Sequence, residues 1–278
     1  MVIRDLSTLD DFRNVVALEI DVWGAEATAD VVPVPIFVVT VKRGAILLGA
    51  YDATGRMVGF AYSLPGLKQG RPMQWSHMLG VTEPHRAGGL GLRLKLAQRE
   101  RTLAQGLDLI EWTYDPLQAV NAHFNFSKLG VVVEEYLVNV YGDSSSPLHA
   151  GAPTDRFVAQ WWLRSPHVER TVGGHIEPGN VRRPAGAVLV NPPVRQGDWQ
   201  APAPAAPLPD APTLLVAIPP RFTDMLQQAP DLAHDWRLAT RDLFSSCLSR
   251  GYRVVDFLLD PVTKGGLYVA ARSPQDER

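Results

Sequence analysis

Six consecutive residues, Arg86, Ala87, Gly88, Gly89, Leu90 and Gly91, are the part of the chain whose types and order most directly suggest chemistry. Glycines let a backbone approach a ligand with no Cβ in the way. A helical pattern follows, and the first turn of a helix leaves amide N–H groups unpaired at an electropositive end. Such a turn cradles a pyrophosphate, and the Arg86 guanidinium offers a charge-assisted donor to the same group. A Walker turn would need Gly-Lys-Ser/Thr where this chain has Gly91, Leu92 and Arg93. A dinucleotide fingerprint would need a third glycine where it has Leu94, and would follow the first strand of a parallel unit. The pattern that fits is Arg-x-x-Gly-x-Gly, with a plain glycine-rich strand-to-helix turn as its alternative reading.

Titratable residues flank the turn: His77, Glu83 and His85 before it and His123 after it. Any of them could take or give a proton at a reacting group. His77 lies on a strand leading to the turn and reads either as such a base or as a packed sheet residue. Glu83 precedes Pro84 and reads as exposed. Asn121 and Asn125 are four apart on one helix face. Arg86, Arg93, Lys95, Arg99 and Arg101 form a local basic cluster, read either as an anion-facing patch or as a solvated helix face. A carboxylate-bearing ligand would need a cationic clamp, for which Arg71, Arg164 and Arg170 are candidates. Asp115 before Pro116 reads as a helix N-cap. Cys247, the single cysteine, sits in an apolar helical pattern and reads as a small buried hydrophobe. No Cys pair and no His-x-x-x-His occurs, so no metal site is expected.

These residues need elements to position them. The pattern predicts a strand at 2–4, then a helix capped by Ser7 or Thr8 with Asp10 and Asp11 in its first turn and Phe12, Val15, Val16 and Ile20 as its apolar face. A second helix is expected over 33–43. Strands follow at 45–51, 57–64 and 74–81. The helix after the glycine turn runs to Gln105, with Leu92, Leu96 and Leu103 on its apolar stripe and Gly106 as its stop. A strand at 107–114, a helix from Asp115 to Gly130, and strands at 131–141 and 156–163 complete this part. Residues 192–212 hold seven prolines and read as an extended linker or surface loop. Beyond them come a strand at 213–218, a helix at 223–250, and strands at 252–259 and 267–271. Residues 105–116 and 250–261 share a helix–Gly–strand–Asp–Pro order, read either as a degenerate repeat or as chance convergence.

The chain has 278 residues, 46% hydrophobic and 20% charged, with a formal net charge of −2. That length can hold one or two compact units with a sizeable core. No global basic field points to nucleic acid. The start, Met1, Val2, Ile3, Arg4 and Asp5, lacks a signal-peptide layout, and the most apolar early run, 31–41, is too short for a bilayer and carries Pro33 and Pro35. No membrane association and a cytoplasmic location are therefore expected.

Taken together, the Arg86–x–x–Gly89–x–Gly91 turn, Thr113-Tyr-Asp-Pro116, Asn121-Ala-His-Phe-Asn125 and Lys128-Leu-Gly130 resemble the GNAT superfamily of acyl-CoA N-acyltransferases, in particular a bacterial subfamily with a C-terminal extension. The resemblance covers roughly residues 1–165. It implies an α/β (α+β) fold with a mixed, mostly antiparallel, splayed central sheet flanked by helices. Residues 1–165 would form the acyl-CoA-binding domain and 166–278 a second α/β lobe. It further implies that acetyl-CoA or another acyl-CoA is the co-substrate and that a small amine or amino acid accepts the acetyl or succinyl group. Backbone amides of Arg86, Ala87, Gly88, Gly89, Leu90, Gly91 and Leu92 would hold the pyrophosphate. Leu79, Gly80 and Val81 would pair with the pantetheine arm and supply an oxyanion donor. Asn121 and Phe126 would meet CoA, and His77, Tyr114 and His123 are the catalytic candidates. Many members carry a Tyr acid where this chain has Phe126, so either Tyr114 or another group substitutes, or the thiolate leaves unaided. A homodimer is one arrangement the family allows, and a non-catalytic CoA-binding module is the alternative function.

Overall fold

The computed structural model describes residues 1–24, 31–142, 152–174, 183–260 and 265–272. Their contacts divide the chain into two compact units, Met1–Trp112 and Thr113–Arg278. Among the described residues no helix is long and apolar enough to cross a membrane, and no group of three or more His, Cys, Asp or Glu side chains is arranged to hold a metal ion.

The first unit is an antiparallel sheet with one parallel edge, in the order β1 (Val2–Asp5), β2 (Ile46–Tyr51), β3 (Met57–Lys68), β4 (Arg71–Val81) and β5 (Leu109–Tyr114, of which the first four residues belong to this unit). Helix α1 (Leu9–Trp23) starts at Thr8, whose hydroxyl accepts from the Asp11 amide while the Asp11 carboxylate accepts from the Thr8 amide. This reciprocal cap satisfies donors that a bare helix end leaves open. Its buried face is Phe12, Val15, Leu18 and Glu19, whereas Ile20, expected inside, is 37% exposed. Helix α2 (Val34–Val41) packs with α1 on one side of the sheet around Phe37, Phe60 and Tyr62. Helix α3 (Leu90–Ala104) packs on Leu48, Val58 and Ala61.

Strands β3 and β4 run further than the sequence suggests, through Pro65 and Pro72 to a two-residue turn at Gln69 and Gly70. Both turn residues take positive φ, 50° and 81°, the geometry that matches the twist of paired strands. That turn fixes the hairpin register despite the prolines.

The second unit holds β7 (Arg156–Trp162), β6 (Val132–Leu137), β12 (Tyr252–Leu259), β13 (Gly266–Arg272), β11 (Thr213–Ile218) and β8 (Val188–Leu189), in that sheet order. Residue 165 falls inside this unit, because β7 pairs with β6 and β6 with β12. Its core is aromatic: Phe157, Phe244, Phe257 and Tyr268 meet edge to face at ring separations of 4.6–5.4 Å. The helix expected from Asp115 begins instead at Ala119, as α4 (Ala119–His123), and continues as a wider π-helical turn, Phe124–Leu129, closed by Gly130 at φ 71°. Asp115 accepts from the Leu117 amide and pairs with Arg237, which holds the chain in a turn rather than a helix. The helix expected over 223–250 is broken before Pro230 into α6 (Phe222–Gln228) and α7 (Pro230–Ser249), since proline has no amide to continue the first helix. The proline-rich stretch contains a small hairpin, β9 (Val194–Gln196) and β10 (Trp199–Ala201). Helix α5 (Pro166–Val172) is capped by Ser165. Cys247 is fully buried, as a small core residue.

The two segments read as a repeat differ in topology. In the first, β4 and β5 are parallel neighbours joined by α3. In the second, β11 and β12 are separated by β13, antiparallel to each. Pro261 of the second segment lies outside the described residues.

Candidate active site

Strand β4 pairs with β5 through Gln74↔Ile110 and Trp75↔Glu111 only, and from Ser76 onward it pairs with β3 alone. The two strands therefore fork after Trp75 and Glu111. Ion pairs pin the closed end: Lys68 with Glu111, and Arg71 with Asp108 at 2.6 Å. Arg71, one candidate clamp, is thus engaged. Beyond the fork, residues 76–81 of β4 present one backbone edge that no strand covers among the described residues, an edge that an extended amide-bearing ligand can join as an added strand.

A bulge sits at the fork. Ser63 of β3 faces Ser76 and Tyr62 faces Met78, so His77 has no partner residue. An extra residue in one strand re-aims side chains and increases local twist. His77 stands edge-on to Tyr62, with 6.1 Å between rings. Its residue surface is exposed, yet the surroundings of the ring desolvate it enough to hold its pKa below the ordinary imidazole value. The ring is therefore neutral at pH 7, able to accept a proton. Leu79 and Val81 are half-buried on the same strand. Gly80 is buried where a Cβ would come within 2.7 Å of the Phe60 ring.

After Val81 the chain makes a 3-10 turn, Glu83–Gly88, and then enters α3 through Gly89 at φ 72°. That backbone conformation suits glycine. A Cβ built on Gly88 or Gly89 would meet nothing within 4 Å, and one on Gly91 only a Leu79 methyl at 3.9 Å. The glycines thus border open space. Helix geometry leaves the Leu90, Gly91 and Leu92 amides without intrahelical acceptors. Arg86 is exposed, its Nε donating to the Val81 carbonyl at 3.1 Å. This arrangement fits a pyrophosphate. His85 is tied by Nδ1 to the Thr82 hydroxyl at 2.9 Å. With Glu83, Asp52, Arg56 and Arg86 it lines a crevice of about 510 Å³ beside the turn, whose charges are of both signs.

Besides Glu111 in its pair with Lys68, two further charged residues of this unit are buried, which sequence reasoning missed. Glu19 of α1 is fully buried, accepts from the Val32 amide at 3.1 Å through one oxygen, and has no partner for the other. Burial pushes its pKa up to about 7, and its charge is felt by Tyr62. Its place at i+7 from Phe12 and i+4 from Val15 on the apolar stripe was the available signal. Lys95 of α3, read as part of either an anion-facing patch or a solvated helix face, is also buried, and desolvation pushes its pKa down to about 7. The buried face of α3 is Leu90, Leu94, Lys95, Gln98 and Thr102, while Leu92, Leu96 and Leu103 are only half-buried.

The remaining candidates belong to the second unit. Tyr114 is buried beside Phe157, its hydroxyl inaccessible, and desolvation raises its pKa well above the ordinary phenol. Phe126 is buried against Tyr268 at 5.9 Å. Neither presents an accessible group. Asn121 is exposed. His123 is half-buried with Nδ1 unpaired, its pKa lowered by desolvation and by Lys128, with Asp256 opposing. Arg164 and Arg170 are exposed.

No protein-family model matches the chain, and no curated protein is significantly similar to it. Solved structures are similar to it in fold. They include a putative acetyltransferase from Acinetobacter baylyi ADP1 (16% identity, TM-score 0.48, 59% of this chain and 95% of that one). The ribosomal-protein-S18-alanine N-acetyltransferase from Escherichia coli is another (15% identity, TM-score 0.46, 58% and 93%). An acetyltransferase of the GNAT family from Streptococcus pneumoniae is a third (19% identity, TM-score 0.46, 57% and 97%).

Proposed function

We propose that the chain is an acyl-CoA-dependent N-acyltransferase that moves an acyl group from a CoA thioester to the amine of a small molecule, an amino acid being one candidate. The observation that carries this reading is the fork between β4 and β5 leading directly into the Gly88, Gly89, Gly91 turn. A forked strand edge and an open glycine turn suit a ligand with an extended diamide arm and a pyrophosphate, which CoA has.

In this reading the amides of residues 86–92 hold the pyrophosphate and the free edge of β4 pairs with the pantetheine arm. An N–H among Leu79, Gly80 and Val81 donates to the thioester oxygen as charge builds there. The amine nitrogen bonds to the carbonyl carbon, the C–S bond breaks, and the CoA thiolate leaves. His77, neutral and re-aimed by the bulge, takes the proton the amine sheds. The burial of Tyr114 and Phe126 leaves the thiolate to depart without a phenolic acid, which a thiol's modest pKa permits. The same burial favours the second reading, a CoA-binding module without turnover.

Calorimetric titration with acetyl-CoA tests the binding step. Gly89→Glu places a carboxylate in the cradle and forces a side chain into positive φ, so the affinity should fall by about 100-fold or more. Wild-type protein that fails to bind acetyl-CoA sinks the proposal. Thiol release on an amine panel then separates transferase from silent binder.

A further inference from the structure

Most side chains that line the crevice beside the glycine turn have no part in acyl transfer. Three carboxylates, Asp21, Asp52 and Glu83, meet two guanidiniums, Arg56 and Arg86, and the His85 ring, with Val22 and Pro84 as apolar wall. Asp21 and Arg56 offset each other across 4.0 Å. The charges that remain are those of Asp52, Glu83 and Arg86.

These groups keep hydrogen-bonding capacity. The Thr54 amide, the Thr54 hydroxyl and the Arg56 amide all donate to Asp52 Oδ1, which leaves Oδ2 open. The Thr54 hydroxyl most of all, with those amides and the nearby His85 ring, holds the Asp52 carboxyl below its ordinary pKa, so it is ionised at pH 7. His85 is fixed in one tautomer. The Thr82 hydroxyl has a single hydrogen and gives it to the Val58 carbonyl at 3.2 Å. His85 Nδ1–H must then donate to Thr82 Oγ1 at 2.9 Å, and in the neutral ring Nε2 carries the lone pair. Arg86 is held at Nε by the Val81 carbonyl, which leaves its two terminal nitrogens as donors. Among the described residues none of these open atoms has a hydrogen-bond partner.

We propose that this crevice is a regulatory site for a basic α-amino acid, whose two ammonium groups meet Asp52 and Glu83 and whose carboxylate takes Arg86 away from the pyrophosphate. Two anions and one cation are complemented by two cations and one anion, and the apolar wall suits the methylenes between them. His85 Nε2 adds an acceptor for one ammonium. A volume of about 510 Å³ is that of a small-molecule site. The crevice lies past the end of β4, beyond the 79–81 amides assigned to the thioester, so this amino acid is not the acyl acceptor. The competition for Arg86 rests on the acyl-CoA reading above, whereas the site itself does not.

Calorimetric titration of the full chain with L-lysine tests the site without any thioester. L-Lysine should bind about ten-fold more tightly than L-norleucine, which lacks the second ammonium, and than cadaverine, which lacks the carboxylate. Asp52→Asn keeps Oδ1 for the turn and removes the charge. It should weaken lysine binding about ten-fold and leave the affinity for acetyl-CoA alone within about two-fold. Glu83→Gln should weaken lysine binding to a similar degree, and it decides where melting curves show that the Asp52 variant does not fold. Saturating lysine should raise the acetyl-CoA Kd about five-fold or more. No lysine binding to wild type, equal binding of norleucine, or a lysine affinity unmoved by both substitutions overturns the site. Lysine binding that leaves the acetyl-CoA affinity unchanged overturns the competition. Wild type that binds lysine but not acetyl-CoA overturns the acyl-CoA reading and leaves the site standing.

Discussion

Two buried ion pairs of the second unit are saturated, whereas two buried charges of the first have no counter-charge among the described residues. In the second, Arg237 reaches the two oxygens of Asp115 at 2.7 and 2.8 Å, and Arg241 reaches those of Asp155 at 2.8 and 2.9 Å. Asp155 also accepts from the Tyr136 hydroxyl and the Asn139 amide. Every carboxylate oxygen of these pairs has a donor. In the first unit, Glu19 and Lys95 are as deeply buried, yet among the described residues neither has an ionic partner. Both have pKa values pushed toward 7, from opposite sides. A saturated pair explains itself as architecture. An unsaturated buried charge costs stability and persists only where something outside the fold requires it. That contrast supports the reading proposed above, in which the ligand site lies in the first unit.

Breaking a second-unit pair should have the largest effect. Arg237→Met strands the Asp115 carboxylate in the interior, and unfolding by urea should show a loss of about 3–5 kcal/mol. Removing both charges in Arg237→Met with Asp115→Leu should recover most of it, because the stranded charge rather than the lost attraction carries the cost. If the double variant is no better than the single, the pair does more than saturate itself, and the division between the units weakens.

How much of this was legible depends on the range of the interactions. The Thr8 cap, the Gly106 stop and the glycine turn were readable, because each is decided by neighbours a few residues away. The fork was expected only through the family resemblance, since a ladder that stops after two rungs is a relation between strands more than thirty residues apart. Asp115 misled for the same reason. Locally Asp-Pro is a helix start, but Arg237, 122 positions later, recruits the carboxylate and delays the helix. The burial of Lys95 was not legible: among Arg93, Arg99 and Arg101 it reads as one of a cluster either anion-facing or solvated, and the polar spacing Lys95, Gln98, Thr102 runs against the rule that buried stripes are apolar.

The next effect down belongs to Glu19. Its carboxyl has a folded pKa of about 7 against 4.5 unfolded. The folded chain thus binds the proton more tightly. Stability is fullest below about pH 4.5, declines as pH rises to about 7, and is level above that. The decline is on the order of 3 kcal/mol. Glu19→Gln should flatten it, seen as a melting temperature that no longer falls between pH 5 and 7. An unchanged slope would mean that Glu19 is paired after all, and the first unit would lose half of its distinction.

The smallest effect sharpens the comparison within a single helix. Asp11 lies eight residues before Glu19 on α1 and is also buried, but it is saturated: it accepts from Arg4 at 2.6 Å and from the Ser7 and Thr8 amides at 3.1 Å. Those donors hold its pKa well below the usual carboxylate value despite burial. The sign is opposite to that of Glu19. Asp11 contributes stability above about pH 4, which is lost as pH falls further. Arg4 is half exposed, so screening limits the contribution to about 1–2 kcal/mol. Asp11→Asn should lower the melting temperature at pH 6 and converge with wild type toward pH 2. Two carboxyls on one helix would then tilt stability in opposite directions with pH, Glu19 being the more deeply buried and holding one donor where Asp11 holds three.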